Sequence, residues 1–221
     1  MKIAINEYAP SRALGFKRWF PEAVVCKRYE QEKTPDSFDL LILSGGPMSA
    51  DEKSRSENVF LAEDMILLKE LQWLGKKSPF VLGVCLGAQL MVFANGGDVQ
   101  ESKELIVGWN ELTVKHQHLA FTGMANFLVC EIHRNHIAHP GINGQILVSS
   151  QLDSIEAFSI GSRFLGTAYH PEITKDDAER ISDDSGGKLK FKFLSDSDKV
   201  FSLSDAFMTS KRFFENIRTL V

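Results

Sequence analysis

Three short segments of this 221-residue chain carry residue types that could do chemistry together. The first is Gly83-Val84-Cys85-Leu86-Gly87, where an apolar run from Phe80 leads into a cysteine and then a helical pattern. A residue at a tight strand-to-helix corner projects above the carboxyl edge of its sheet, and glycines on either side make room for the turn. A cysteine placed there sits at the first turn of a helix, where unpaired N–H groups and the positive dipole end favour the thiolate. The backbone N–H of Leu86 is then positioned to bind a developing oxyanion. Taken alone, the same pentapeptide equally describes a buried structural cysteine between two packing glycines.

The other two segments bear on that choice. Ser44-Gly45-Gly46-Pro47 follows the apolar run Leu40–Leu43. A strand parallel to the cysteine strand would deliver this loop to the same sheet edge, where open α/β sheets bind ligands. Glycine lets backbone N–H groups turn toward a ligand, so Gly46 is a candidate second oxyanion donor. The third segment, Tyr169-His170-Pro171-Glu172, ends another strand-like run. A thiol nucleophile needs an imidazole to take its proton and later protonate a leaving amine. The imidazole in turn needs a carboxylate to fix its tautomer, and Glu172 stands two residues on.

The elements that must position these residues alternate along the first half of the chain. Met1–Asn6, Ala23–Tyr29, Leu40–Ser44 and Phe80–Val84 read as strands; Ser11–Phe20, Val59–Leu74 and Leu86–Asn95 read as helices. In the second helix, residues 61, 65, 68, 71 and 74 form one apolar stripe, closed by Gly75. Short apolar strands separated by helices predict a parallel sheet covered on both faces. The second half reads as hairpins: Gly108–His116, Phe127–His133, Gln145–Ser150, Ile155–Ile160 and Phe164–His170. Ile181–Gly187 reads as a loop, and Leu189, Phe191 and Phe193 alternate like a strand within an ambiguous stretch, Lys188–Phe201. A C-terminal amphipathic helix is expected over Ser204–Val221, with Phe207, Phe214, Ile217 and Val221 on its stripe.

With these segments in this order, the chain resembles the class I glutamine amidotransferases, the family with a Cys-His-Glu triad. The matching residues are Ser44–Pro47, Gly83-Val84-Cys85-Leu86-Gly87-Ala88-Gln89-Leu90 and Tyr169–Glu172, with Gly96-Gly97 and Gly108-Trp109 in support. Ala168-Tyr169 stand where many members have Gln-Phe, and Lys115–Gly141 matches poorly. The alternation of elements and the resemblance, which runs from about residue 39 to 173, point to a doubly wound, flavodoxin-like, mostly parallel sheet with an antiparallel extension. With no internal repeat, low-complexity tract or convincing linker, the chain reads as one domain over residues 1–221. The resemblance implies hydrolysis of a γ-carboxamide, normally that of glutamine, through a thioester that releases ammonia. Cys85 would be the nucleophile, His170 the base and acid, Glu172 its orienter, Gly46 and Leu86 the oxyanion donors, and Gln89 a substrate contact. The closest likeness is to stand-alone GMP-synthase-like amidotransferase domains, so no synthetase domain is expected in the chain. Two alternatives stay open: a γ-glutamyl peptidase or hydrolase on the same scaffold, and a regulatory or glutaminase subunit silent until a synthetase partner docks.

The remaining features exclude more than they suggest. Lys plus Arg number 25 against 29 Asp plus Glu, a net charge of −4 without a basic run. That speaks against nucleic acid or an anionic membrane as the main partner. The N-terminus MKIAINEYAP has no apolar leader, and no stretch approaches the roughly 20 apolar residues of a spanning helix. Three cysteines, Cys26, Cys85 and Cys130, are an odd count without metal-type spacing. Free thiols and a cytoplasmic location are therefore expected, with Cys26 and Cys130 buried. His116, His118, His133, His136 and His139 cluster, and His116-x-His118 on a strand would face one side. Without an accompanying cysteine or carboxylate cluster they read as surface histidines, so neither metal nor cofactor is expected. Asp176-Asp177 and Asp183-Asp184 read as solvated surface.

Overall fold

The computed structural model describes residues 1–194 and 202–221. Five parallel strands form its centre, β1 (Ile3–Glu7), β2 (Val24–Lys27), β3 (Leu40–Leu43), β4 (Phe80–Val84) and β9 (Phe164–Thr167). Their spatial order is β2-β1-β3-β4-β9, the flavodoxin-like order with β9 in the fifth place. From β9 the sheet continues antiparallel through β8 (Ala157–Ile160), β7 (Gly144–Ser149), β5 (Asp98–Val114) and β6 (Asn126–His139). The expected hairpins are therefore present, although β5 and β6 run well beyond the strand-like stretches and pair along most of their length.

The parallel strands are buried on both faces, which is why they read as continuous apolar runs. Phe80, Leu82 and Val84 of β4 pack with Phe16 of α1 (Leu14–Trp19) and with Phe213, Phe214 and Ile217 of α6 (Leu203–Arg218). Val81 points the other way, toward Leu61, Leu68 and Leu71 of α3 (Val59–Leu74), which follows the short α2 (Glu52–Glu57), and toward Leu90 and Met91 of α4 (Leu86–Ala94). Each such side chain contributes roughly 1.5–3 kcal/mol on burial. Among the described residues no helix is long and apolar enough to cross a membrane.

Several expectations need correction. In α3 the buried stripe is Leu61, Asp64, Leu68 and Leu71, whereas Leu74 is exposed and Met65 only half-buried. Asp64 is tolerated inside because Tyr8 Oη (2.8 Å), Asn6 Nδ2 (3.1 Å) and Arg28 Nε (3.2 Å) all donate to it. In α6 the inward positions are Ala206, Ser210, Phe213, Phe214 and Ile217; Phe207 and Val221 are exposed. The segment expected as a loop from Ile181 is largely helical, in α5 (Lys175–Asp184), ahead of Gly186 and Gly187. Thr174 and Asp177 cap its first turn, and Asp177 is buried in an ion pair with Arg18 at 2.8 Å instead of lying on the surface. Asp176, Asp183 and Asp184 are exposed as expected. Of the ambiguous stretch, Lys192–Phe193 forms β10 beside Gly108–Trp109, and residues 195–201 lie outside the described residues.

This topology brings the carboxyl ends of β1, β3, β4 and β9 to one sheet edge. The loop Tyr8–Ala13, the loop Ser44–Pro47, Cys85 and the segment Ala168–Glu172 all leave the sheet there.

Candidate active site

Cys85 occupies the corner between β4 and α4 with φ 50° and ψ −105°. A non-glycine residue at positive φ stores about 1–3 kcal/mol of strain, which persists only where the surroundings over-determine it. Here the Cys85 N–H donates to Thr167 O of β9 at 2.8 Å, and its carbonyl accepts from Gln89 N at 3.0 Å. Close packing explains the flanking glycines: a Cβ on Gly87 would strike the Leu43 carbonyl, and one on Gly83 would strike Met91 Sδ and the Gly87 backbone.

His170 reaches the thiol from the segment after β9. Its N–H donates to Cys130 O of β6 at 2.8 Å, so the residue is pinned between two parts of the sheet. Its Nδ1 lies 2.7 Å from Glu172 Oε1, and the ring stands beside Cys85: a Cβ on Gly45 would lie 2.8 Å from His170 Cε1 and 3.6 Å from Cys85 Cβ. All three side chains are buried. Burial disfavours the imidazolium, but the Glu172 carboxylate and Cys85 together push its pKa up to about 10. Burial likewise opposes ionisation of Cys85. The His170 hydrogen bond and charge, joined by the charge of His133, outweigh it and hold the thiol below its ordinary value. The arrangement favours a thiolate–imidazolium pair.

The glycine loop closes over this pair. A Cβ on Gly45 would come within 2.8 Å of His170 Cε1, so only glycine fits without moving the ring. Gly46 sits against the Leu86 side chain and lines a cavity of about 600 Å3 together with Cys85, Gln89, His133 and His170, a size typical of small-molecule sites. Leu86 opens α4, so its N–H has no intrahelical acceptor. Gln89, one turn further on, is buried with its Oε1 accepting from Asn135 Nδ2 at 3.3 Å. Thus all six residues singled out by sequence, Cys85, His170, Glu172, Gly46, Leu86 and Gln89, come together at one edge.

Other cavity residues escaped the sequence reading. Asn135 also donates to Ser49 Oγ at 3.2 Å, tying β6 to the glycine loop. Arg12, in the β1–α1 loop, lines the cavity with its Nε buried and, among the described residues, unpartnered. His133 is buried, not a surface residue: its Nε2 lies 3.3 Å from Glu131 Oε2 and its Nδ1 3.0 Å from Asn135 O. The signal was present as alternation along β6, which puts residues 131, 133 and 135 on one face. The other histidines of the cluster are exposed or half-buried. His116 and His118 lie beyond β5, and His118 instead caps the one-turn helix Leu119–Phe121. Cys26 and Cys130 are buried, and all three cysteines are free.

A cysteine at such a corner, with a histidine–carboxylate pair beside it and a glycine loop opposite, offers the groups that acyl transfer requires. Residues 19–184 match the model of the family "Glutamine amidotransferase class-I", and the chain belongs to that family. Gamma-glutamyl peptidase 4 of Arabidopsis thaliana is 26% identical over 215 residues, covering 91% of this chain and 80% of that protein. A glutamine-hydrolyzing GMP synthase subunit of Saccharolobus solfataricus is 29% identical over 138 residues, 62% of this chain and 68% of that one. The crystal structure of a glutamine amidotransferase from Thermotoga maritima has the same fold, with a TM-score of 0.79 at 19% identity over 100% of this chain and 96% of that one.

Proposed function

We propose that this chain hydrolyses the γ-carboxamide of glutamine, or the γ-amide of a related γ-glutamyl compound, through a thioester on Cys85. The observation that carries the reading is the strained Cys85 corner beside the buried His170–Glu172 pair. The thiolate attacks the amide carbon, and the carbonyl electrons move onto oxygen, held by the N–H groups of Gly46 and Leu86. As the C–N bond breaks, His170 gives its proton to the leaving nitrogen, which departs as ammonia or an amine. The neutral imidazole then takes a proton from water, whose oxygen attacks the thioester. Collapse frees glutamate and restores the thiolate–imidazolium pair. Glu172 orients the ring and stabilises its cation, and Gln89 contacts the substrate.

Two further readings share this chemistry. A γ-glutamyl peptide as substrate is favoured by the cavity of about 600 Å3 and by Arg12, whose buried Nε has no partner among the described residues and whose charge suits a second carboxylate. The relative named as a γ-glutamyl peptidase, aligned over 91% of this chain, supports it. Delivery of ammonia to a synthetase partner is favoured by the relatives named as glutamine-hydrolyzing GMP synthase subunits. Glutamate, ammonia and amine release by the chain alone, from glutamine and from γ-glutamyl dipeptides, separates the three. Ammonia from glutamine supports the first reading, and amino-acid release from dipeptides supports the peptidase. Silence on both until a synthetase is added supports the delivery of ammonia to that partner. Turnover that survives Cys85→Ala overturns all of them.

A further inference from the structure

Behind the catalytic thiol, β6 carries a second set of buried ionisable groups that the scheme above does not use. The Ile132 carbonyl lies 3.9 Å from Cys85 Sγ, so the next residue, His133, enters the cavity beside the nucleophile. Its Nδ1 faces the Asn135 carbonyl at 3.0 Å. A carbonyl only accepts, so Nδ1 carries a hydrogen. Its Nε2 faces Glu131 Oε2 at 3.3 Å, and a hydrogen must lie on one side of that contact too.

Glu156 decides which side. It is fully buried, accepts from Ser150 Oγ at 2.6 Å, and leaves its Oε2 without a donor among the described residues while lying against Glu131. Two carboxyl groups packed together in a dry site cannot both ionise, so one keeps its proton. Burial and the neighbouring Glu131 push Glu156 well above the usual carboxylate range. With the proton on Glu156, its acid group donates to Glu131. Glu131 is then a carboxylate accepting from Glu156, from Asn110 Nδ2 at 2.7 Å and from His133 Nε2. That assignment satisfies every group in the set, leaves it neutral, and makes His133 a cation. One ring nitrogen of His133 and a carboxyl oxygen each of Glu131 and Glu156 lie within 4.8 Å of one another, close enough to be linked by shared protons.

We propose that His133 is a positioning residue of the active site: an imidazolium, fixed by Glu131 and Glu156, that stabilises the Cys85 thiolate by its charge and takes no part in proton transfer. Both ring N–H groups are committed to protein acceptors, so none is free for substrate. The charged groups facing Cys85 are His170 and Glu172 from the segment after β9 and His133 from β6. Those facing His133 are Glu131 on its own strand, Cys85 at the corner, and Asp153 and Glu156 from the segment before β8. The inference rests on Cys85 being the nucleophile of the proposed reaction.

The test is the pH dependence of Cys85 alkylation by iodoacetamide in the full chain, read at the peptide by mass spectrometry. An opposite charge close to an acid lowers its pKa by about 1–3 units. His133→Gln should therefore raise the thiolate midpoint by about 1 unit and slow alkylation up to about 10-fold below it. Glu131→Gln, which removes the anion that keeps His133 protonated, should shift it the same way. Glu156→Gln should move it less, because its amide donates to Glu131 as the acid does. Unshifted midpoints in both His133→Gln and Glu131→Gln overturn the proposal, as does a wild-type midpoint that moves on dialysis against EDTA. Should the buried substitutions prevent folding, 15N spectra of the wild-type histidine rings decide. Two protonated nitrogens on His133 at pH 7 support the cation, and one overturns it. If Cys85 reacts no faster than Cys26 and Cys130 at any pH, the active-site reading itself has failed; preferential reaction with unmoved midpoints defeats His133 alone.

Discussion

Glu172→Gln isolates the carboxylate that the geometry makes responsible for the histidine. His170 rises from an ordinary value of 6.5 to about 10. At 1.36 kcal/mol per unit this is about 5 kcal/mol of net preference for the imidazolium. Glu172 supplies a large part of it, through its charge and the 2.7 Å contact. A hydrogen bond to a charged group contributes about 1.5–3 kcal/mol, so its loss lowers kcat by roughly 10- to 150-fold. KM should change little, because Glu172 touches the ring and not the substrate. The alkaline limb of the pH–rate profile should also fall from about 10 by about 1–3 units, as the ring loses its counter-charge. The acid limb should not rise, since the Glu172 charge opposes ionisation of Cys85. The assay is steady-state hydrolysis of the amide that the wild type turns over, from pH 5 to 11. Wild-type kcat with an unmoved alkaline limb would remove Glu172 from the mechanism and leave a Cys–His dyad.

Three other perturbations follow from the same geometry. A glutamine-like diazoketone should label Cys85 and spare Cys26 and Cys130, whose thiols burial pushes up; peptide mapping with equal labelling of all three would contradict this. Gly45→Ala places a methyl 2.8 Å from His170 Cε1 and should displace the ring, lowering kcat about 10-fold or more while thermal unfolding changes little; unaltered kcat would mean the loop yields freely. Arg12→Gln should raise KM for γ-glutamyl dipeptides about 10-fold and leave free glutamine less affected; equal KM changes on both would remove Arg12 from leaving-group recognition.

The parts legible in the sequence are those where backbone geometry dictates residue type. Gly83 and Gly87 are required by the approach of Met91 and Leu43, so a tight corner at Cys85 could be read from five residues, and its chemistry only with Ser44–Pro47 and Tyr169–Glu172 beside it. Glu172 could be paired with His170 because two residues of chain fix their separation. His133 could not be placed, because its burial depends on the long β5–β6 pairing that lays β6 across the thiol. Asp64 and Asp177 were invisible for a related reason: an acidic residue reads as surface until Arg28 or Arg18 is brought to it from a distant element. The Thr174-x-x-Asp177 cap of α5 is a local helix-start signal that the sequence reading did not use. In α6, Phe207 and Phe214 fit one helical stripe, but Phe213 completes the aromatic cluster with Phe121 and Phe214 that sets which face turns inward.

The central claim is a covalent intermediate at Cys85. Rapid acid quench of a γ-glutamyl substrate during turnover, followed by peptide mass spectrometry, should find a γ-glutamyl adduct on the Cys85 peptide. That adduct should accumulate when the His170-assisted attack of water is slowed, and it should be absent from Cys85→Ala. Turnover without any adduct on Cys85, retained in Cys85→Ala, would contradict the thioester mechanism and with it the role assigned to this site.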